Sequence, residues 1–190
     1  MGFLTREQID EMGFSYVGEN SRLSDKASYY NCANIRVGNN VRIDDFCVLS
    51  AGSGGIEIGN YIHIAVYTSL IGAGKITLHD FSNISSKVSI YSSNDDYSGI
   101  TMTNPMVPVE FTNVRHADVV IGRHVIIGAG SVVLPDVILE EGVAVGALSL
   151  VSKSCKAFGI YSGVPAKRIK ERKTTLLELE GNFLQRRINK

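Results

Sequence analysis

The feature that most constrains this fold is a run of branched aliphatic residues spaced six apart within residues 120–151. Its members are Ile121, Ile127, Val133, Leu139, Val145 and Val151. The fourth residue after each is small or β-branched, in the order Val125, Ser131, Val137, Val143, Ser149 and Cys155. A fixed short period is typical of a solenoid, in which each repeat buries its apolar face only by stacking on its neighbours. A period of six differs from that of a helix and that of a simple strand, and indicates three short flat faces per turn.

The same period starts much earlier in the chain. The earlier inward positions are Val17, Leu23, Tyr29, Val37, Ile43, Leu49, Ile58, Ile64, Leu70, Leu78, Ile84 and Ile90. The phase slips at residues 30–35, 52–55 and 72–75, which carry Gly, Ser and Asn and are predicted to be bulges at a corner. We call the fourth position after each inward residue a small slot. The small slots predicted at the end of each earlier run are Ala33, Ser53, Gly74 and Asn94. An antiparallel β-sandwich would instead alternate with a period of two.

The pattern divides the chain into three parts. Residues 1–16 are a lead-in with a helix predicted over 6–12, residues 17–155 are the solenoid, and residues 156–190 are an exit segment and helix. This last helix is predicted over 167–188, interrupted at Gly181, and is expected to cap the open end of the solenoid. Residues 94–118 have no sustained period, and loops of this length within compact domains are usually functional or disordered.

Composition excludes several classes of partner. Lys+Arg and Asp+Glu both number 19, so no overall field favours nucleic acid or an acidic membrane. No apolar run approaches the roughly 18–20 residues of a membrane span, and the first residues are too polar for a signal peptide. We therefore expect a cytoplasmic protein, and three cysteines fit a reducing compartment. Cys47 and Cys155 fall in small inward slots and are predicted to be packing groups.

The coils and the exit segment together resemble the hexapeptide-repeat acyltransferases. The matching pieces are IGRHVIIGAGSVVLPDVILEEGVAVGALSLV, the exit GVPAKRIKERK and the loop between coils. The resemblance implies a left-handed parallel β-helix, a homotrimer, and an acyl-CoA co-substrate bound between adjacent subunits. Left-handed crossovers are exceptions among parallel connections, so the handedness comes from the resemblance alone.

Within that group the chain looks most like the nucleotide-linked amino-sugar N-acyltransferases. The segments that carry this likeness are IRVGNNVRIDDFCVLS and DFSNISSKVSIYSSNDDYSG. The likeness implies a dTDP-linked 4-amino-4,6-dideoxyhexose as acceptor, made for O-antigen or other surface polysaccharide. O-acetylating relatives carry a histidine base at the start of the loop, where this chain has Ser93, Asn94, Asp95 and Asp96.

That difference fits an amine acceptor. A sugar hydroxyl needs a base such as histidine to attack a thioester. A neutral amine is already nucleophilic, so a carboxylate that accepts a hydrogen bond from it is sufficient. We predict Asp95 and Asp96 in this role, with Ser85 beside the reacting amine as the resemblance implies. A backbone N–H after Ile127 is the candidate donor to the oxyanion. Asn and Asp are also common turn formers, which is the alternative interpretation of the loop start.

Further residues are assigned to the two ligands. Ala129 and Ala147 fall where pantetheine runs in related enzymes, and cations near the exit would meet the adenosine phosphates. The predicted cofactor-binding residues are Ala129, Ala147, Lys153, Pro165, Ala166, Lys167, Arg168 and Lys170. The predicted contacts to the nucleotide sugar are His63, Asn94 and His124.

Two other functions stay open at this point. One is a sugar O-acetyltransferase, against which the missing histidine counts. The other is a non-catalytic or metal-binding β-helix of the kind in which γ-type carbonic anhydrases hold zinc with three histidines. His116 and His124 lie eight residues apart across a loop boundary, and we predict no metal site.

Overall fold

The computed structural model describes residues 2–188 and forms a parallel β-solenoid of about seven turns with three flat faces. The first face contains Tyr16–Val17, Ile35–Val37, Ile56–Ile58, Ile76–Leu78, Val119–Ile121 and Ile138–Leu139. The second contains Arg22–Leu23, Arg42–Ile43, His63–Ile64, Asn83–Ile84, Ile126–Ile127, Ala144–Val145, Gly159–Ser162 and Lys167–Glu171. The third contains Ser28–Tyr30, Val48–Ala51, Ser69–Gly72, Ser89–Tyr91, Val132–Val133 and Leu150–Val151. The predicted solenoid is confirmed, and its handedness stays a prediction.

The core is a set of aliphatic columns that run along the solenoid. Parallel pairing places like positions above one another, as in the register Ile43, Ile64, Ile84 and Ile127 on the second face. All of the predicted inward aliphatics are buried, and only Tyr29 is partly exposed. Stacking of equivalent side chains therefore explains the period of six, since each position must match its neighbour one coil away.

Removing one side chain from a column should destabilise the fold measurably. Ile84→Ala deletes three carbon atoms from a fully buried position and should lower the free energy of unfolding by about 3 kcal/mol. Ile138→Ala is the matched control, because Ile138 is 47% exposed and its loss should cost below about 1 kcal/mol. Urea unfolding at one fixed protein concentration measures both values. Equal effects of the two substitutions would contradict this account of the core.

We name the corner between the first and second faces the first corner, that between the second and third faces the second corner, and that between the third and first faces the third corner. Residues with positive φ turn the chain at all three, and many are not glycine. On the second corner they are Phe46, Tyr67, Lys87, Gly130 and Leu148. Glycine is required elsewhere for close approach: a Cβ on Gly128 would lie 2.4 Å from the backbone nitrogen of Ala147.

The small slots behave differently at the third corner. Cys47 and Cys155 are buried as predicted, and burial raises the pKa of each thiol to about 11. The predicted slots at Ala33 and Ser53 are wrong, because both residues are exposed. Extra residues at this corner shift the register, so that Cys32 and Ala51 are buried instead.

The insertion leaves the solenoid at the third corner. Ser93–Asn94 pairs antiparallel with Arg115–His116 and forms its neck, and a short 3-10 turn covers Val109–Phe111. We refer to residues 94–118 as the loop. Its outer part exposes the apolar side chains of Tyr97, Ile100, Met102, Met106, Val109 and Phe111.

The chain ends agree only partly with the sequence prediction. The N-terminal helix is Arg6–Glu11, and Thr5 and Gln8 form a capping box at its start. At the other end, Gly159–Ser162 still pairs in parallel with Ala144–Val145, so the solenoid continues past the predicted boundary at residue 155. Neither helix of the described chain is long and apolar enough to cross a membrane.

The C-terminal helix was predicted wrongly in three respects. Residues Lys167–Glu171 form a strand that pairs antiparallel with Gly159–Ser162, and this strand covers the last edge of the second face. The helix is Thr175–Ile188 and runs through Gly181 without interruption. It packs on the first corner, where the Phe183 ring lies 5.3 Å from Tyr61, rather than capping the end of the solenoid.

Candidate functional site

Ser85 lies on the second corner, directly after the inward Ile84. Its N–H donates to the Ile127 carbonyl at 3.0 Å, and its carbonyl accepts from the Thr68 hydroxyl at 3.1 Å. The side chain is half-buried, and its Oγ has no hydrogen-bond partner within residues 2–188. The backbone is therefore fixed from both neighbouring coils, while the hydroxyl is left available to a ligand.

The positions equivalent to Ser85 on neighbouring coils are mostly small. Each donates its N–H to the next coil at 2.8–3.0 Å, and the column reads Asp44, Ala65, Ser85, Gly128 and Gly146. Ala129 and Ala147 follow the two glycines and are exposed. The small residues of this column leave the backbone accessible beside Gly128 and Gly146, although Leu148 projects from the same corner and is 74% exposed. An extended ligand can therefore lie against the backbone along this column.

His63 lies near the same corner and is held by the carboxylate of Asp44, a residue that was not among the predicted site residues. Its Nε2 is 2.8 Å from Oδ2 of Asp44, and Arg42 Nε lies 2.7 Å from Oδ1 of the same group. Burial raises the pKa of Asp44. The hydrogen bonds from His63 and Arg42, together with their charges, lower it by more, so the net shift of the pKa is downward. In the sequence, the feature that could have indicated Asp44 is its position directly after the inward Ile43.

The two aspartates at the start of the loop have different surroundings. Asp96 accepts hydrogen bonds from the Ser98 N–H at 2.8 Å and from the hydroxyl of Thr101 at 2.9 Å. These contacts lower the pKa of Asp96 to about 2, so the carboxylate stays ionised and holds the turn of the loop. Asp95 is exposed and has no hydrogen-bond or ion-pair partner within the described chain. Asn94 belongs to the neck and is exposed.

One histidine does lie at the neck, but on its returning strand. His116 Nδ1 is 2.8 Å from the Ser93 hydroxyl, which itself accepts the Ala73 N–H at 2.8 Å. The Ser93 hydroxyl thus links the Ala73 backbone to the His116 ring, and these two contacts stabilise the base of the loop.

His124 is enclosed by contacts within the chain. Its ring stacks on Phe81 at 5.1 Å, and Nε2 lies 2.8 Å from Glu180 of the C-terminal helix. The Arg172 guanidinium donates to the His124 carbonyl at 2.7 Å. These contacts assign His124 to the docking of the C-terminal helix on the first corner, away from Ser85.

The predicted cofactor residues are divided between two corners. Residues 163–166 reverse the chain beside the second corner, where the Ala166 N–H donates to the Leu150 carbonyl at 2.8 Å. Pro165, Lys167, Arg168 and Lys170 are exposed, and Arg168 pairs with Glu171 at 2.7 Å. Lys153 follows Val151 on the third face and therefore lies on the third corner, as Asp95 does.

Ser85 and Asp95 cannot meet within one chain. Between them the backbone turns the second corner and crosses the whole third face through Ser89–Tyr91. At about 3.3 Å per residue, the stretch 88–94 spans roughly 20 Å. Apart from His124 on the first corner, the structure thus groups the predicted residues into one half-site on the second corner and another on the third.

No group of three or more His, Cys, Asp or Glu side chains within residues 2–188 is arranged to hold a metal ion.

Comparison with known proteins identifies one matching family model and several similar proteins. Residues 118–153 match the family model described as bacterial transferase hexapeptide (six repeats). The chain is 63% identical over 183 residues, 96% of its length and 95% of the relative's, to a dTDP-4-amino-4,6-dideoxy-D-glucose acyltransferase from Escherichia coli. It is also 36% identical over 121 residues, 63% of its length and 59% of the relative's, to a putative lipopolysaccharide biosynthesis O-acetyl transferase from Escherichia coli strain K12.

Solved structures agree with this. An N-acyltransferase from Bacillus cereus, AntD, in complex with dTDP and 3-hydroxybutyryl-CoA is similar with a TM-score of 0.93 and 46% identity, covering 99% of this chain and 98% of that one. Other AntD structures contain dTDP-4-amino-4,6-dideoxyglucose and coenzyme A. Several carry a substitution of one serine or one aspartate, and these two positions are ten residues apart in AntD.

Proposed function

This chain belongs to the hexapeptide-repeat acyltransferases, and on that premise we propose that it transfers an acyl group from acyl-CoA to the amino group of dTDP-4-amino-4,6-dideoxyglucose. The observation that carries the proposal is the partner-free carboxylate of Asp95 at the neck of the loop. The sequence identity of 63% over 183 residues to the Escherichia coli acyltransferase supports the choice of nucleotide sugar.

The chemistry assigns Asp95 a specific task. The sugar amine is protonated in water, and the carboxylate accepts a hydrogen bond from it and takes the proton that the nitrogen loses. The nitrogen lone pair then forms the C–N bond to the thioester carbonyl. The nitrogen loses its second proton to the leaving sulfur as the C–S bond breaks, so the amide forms and coenzyme A is released as the thiol. Asp95, which is exposed, returns the first proton to water. No hydroxyl has to be deprotonated, so a histidine at this position is unnecessary.

Ser85 is assigned beside the reacting amine. Ser85 and Asp95 are ten residues apart, as are the serine and the aspartate that were substituted in AntD. The free hydroxyl of Ser85 on the open corner supports this role. The N–H groups around Gly128–Gly130 are the candidate donors to the oxyanion, because glycine permits close approach of the ligand.

A complete site requires a second copy of the chain, and we assign a homotrimer. The two half-sites lie on different corners, so the second corner of one subunit would face the third corner of its neighbour. Around the outer part of the loop, Ile100, Met106 and Val109 are each more than 80% exposed, which suits burial against another subunit. Closed cyclic symmetry makes every such interface the same.

The same arrangement accommodates the acyl donor. Pantetheine would run along the second corner past Ala129 and Ala147, where small side chains let it pair with the backbone. The adenosine phosphates would meet Lys167, Lys170 and, from the neighbouring subunit, Lys153. The nucleotide sugar would approach the thioester from the coil that carries Ser85.

The setting of the reaction follows from its substrates. Nucleotide sugars and acyl-CoA are metabolites of the cytoplasm, so we place the enzyme there. We further assign the acylated sugar to O-antigen or another surface polysaccharide, in which deoxyamino sugars are building blocks.

The activity itself can be tested directly. Acetyl-CoA and dTDP-4-amino-4,6-dideoxyglucose together should release free thiol, which a colorimetric thiol reagent measures, and 3-hydroxybutyryl-CoA should be tested in parallel. Each substrate alone is the control for hydrolysis. Thiol release with the 4-hydroxy sugar nucleotide but not with the amine would instead identify an O-acyltransferase.

A further inference from the structure

A column of buried hydroxyl groups lies behind the second corner, on the inner side of the backbone. In coil order, the small slots of this corner hold Ala27, Cys47, Thr68, Val88, Ser131 and Ser149. The side chains of Thr68, Ser131 and Ser149 are buried. A buried hydroxyl that finds no acceptor costs free energy, so each of these three needs a partner inside the solenoid.

The partners are backbone carbonyls of the second corner. The Thr68 hydroxyl donates to the Ser85 carbonyl on the next coil at 3.1 Å. Ser131 and Ser149 both donate to the Gly146 carbonyl, at 3.0 Å and 2.7 Å. The Ser131 hydroxyl also accepts the Ser149 N–H at 3.2 Å, which fixes the two serines relative to each other. The hydroxyls therefore hold two peptide groups of this corner from the inside.

These hydrogen bonds set the direction of the two peptide groups. A trans peptide is planar and points its C=O and its N–H in opposite directions. Because the Ser85 carbonyl points inward to Thr68, the N–H of Ser86 points out of the corner. The N–H of Ala147 points outward for the same reason, since the Gly146 carbonyl is bonded from inside. Neither N–H has a hydrogen-bond partner within residues 2–188, so both are available to a ligand.

The first corner shows that the fold does not require such hydroxyls. Its small slots, in coil order, hold Ser21, Val41, Ile62, Ser82, Val125 and Val143. The Ser21 hydroxyl donates to the Gly38 carbonyl at 2.7 Å on the lowest coils. Ser82 is buried, and its hydroxyl has no hydrogen-bond partner in the described part of the chain. An aliphatic side chain or an unbonded hydroxyl is thus sufficient to turn the chain at this position, and the bonded hydroxyls of the second corner call for another explanation.

We propose that Thr68 is a positioning residue for the sugar acceptor, and that Ser131 and Ser149 are positioning residues for acyl-CoA. The inference rests on the proposed function, because it names the groups that orient the backbone toward the same two substrates. Thr68 acts through the Ser85–Ser86 peptide, which carries the side chain assigned beside the reacting amine. The two serines act through the Gly146–Ala147 peptide, along which pantetheine would run. A carbonyl that accepts a hydrogen bond also polarises the N–H of its own peptide, which strengthens the contact to the ligand.

Thr68→Val tests the acceptor side, because it replaces the hydroxyl by a methyl group and nearly keeps the shape. The Ser85 carbonyl then loses its inner partner and its peptide can turn toward water. We expect kcat to fall about tenfold or more, with KM for acetyl-CoA changed by less than about twofold. Thr68→Ser keeps the hydroxyl and should hold kcat within about twofold of the wild-type value. Ser82→Ala is the matched control, since it removes an equally buried hydroxyl that bonds nothing, and its kinetics should be those of the wild type.

The combined variant Ser131→Ala and Ser149→Ala tests the acyl-CoA side. Both donors to the Gly146 carbonyl are removed, so KM for acetyl-CoA should rise about tenfold while KM for the nucleotide sugar changes by less than about twofold. Thiol release at varied concentrations of each substrate measures these constants. Sedimentation and circular dichroism show whether each variant is folded and assembled. If Thr68→Val does not fold, the KM values of the serine variant decide the proposal.

Three results would overturn the positioning roles. The first is unchanged kinetics in Thr68→Val and in the combined serine variant. The second is an equal fall of kcat in Thr68→Val and Thr68→Ser, which would assign the effect to packing rather than to the hydroxyl. The third is an equal rise of both KM values in the combined serine variant, which would indicate a general loosening of the solenoid. Absence of thiol release in the wild-type protein would instead refute the proposed function itself.

Discussion

Asp95→Asn should lower kcat for acyl transfer by about 100-fold or more while leaving KM for acyl-CoA nearly unchanged. The substitution keeps the size of the side chain and removes its ability to take a proton, and a positioned general base contributes about 10²–10⁴-fold. Asp95 is exposed and has no hydrogen-bond or ion-pair partner within the described chain, so its replacement should not disturb the fold. Thiol release at saturating acetyl-CoA measures kcat, and sedimentation checks that the oligomer is intact.

Asp96→Ala is the control for this prediction. Asp96 carries the hydrogen bonds from Ser98 and Thr101, so its loss should loosen the loop and act mainly on KM for the nucleotide sugar. A large fall in kcat in Asp96→Ala, together with normal turnover in Asp95→Asn, would reverse the two assignments. Normal turnover in both variants would remove the loop carboxylates from the mechanism.

The solenoid was predicted well from the sequence because each inward position has the same packing requirement, an apolar side chain that fills a buried column. Ile43, Ile64 and Ile84 fill one column, and any polar residue there would be buried without a partner. The prediction weakened only where the period is interrupted. At the third corner the extra residues expose Ala33 and bury Cys32, a shift of one position that a fixed period does not contain.

The C-terminal part was mispredicted because tertiary pairing decides its structure. Residues Lys167–Glu171 have helix-compatible side chains, but the reversal at residues 163–166 brings their backbone alongside Gly159–Ser162. The exposed edge of that strand offers hydrogen bonds that outweigh a small difference in propensity. The docking of the following helix on the first corner depends on Tyr61 and Phe81, which lie far earlier in the chain.

The candidate site was predictable as a set of residue types and not as an arrangement. The pattern selected Asp95 and Asp96 together, and only the turn of the loop distinguishes them, since Asp96 alone reaches Ser98 and Thr101. Asp44 was overlooked, although it orients His63. The division of the residues between two corners follows from how the chain winds, which spacing along the sequence does not display.

That division predicts that two inactive variants will restore each other. Ala129→Trp blocks the second corner, where Ala129 is exposed, and Asp95→Asn disables the third corner. Each variant alone should be nearly inactive. In a cyclic trimer that contains both variants, one of the three sites is formed by the second corner of an Asp95→Asn subunit and the third corner of an Ala129→Trp subunit, and this site has both halves intact.

Co-expression with two different affinity tags and sequential purification isolates such mixed trimers, and thiol release measures the recovered activity. The matched control mixes Ala129→Trp with Ala147→Trp, because both substitutions block the second corner and no combination of subunits repairs it. Recovery in the first mixture and none in the control requires that Ala129 and Asp95 act from different subunits. Absence of recovery in both mixtures would mean that one chain supplies both groups, which the path of roughly 20 Å across the third face argues against.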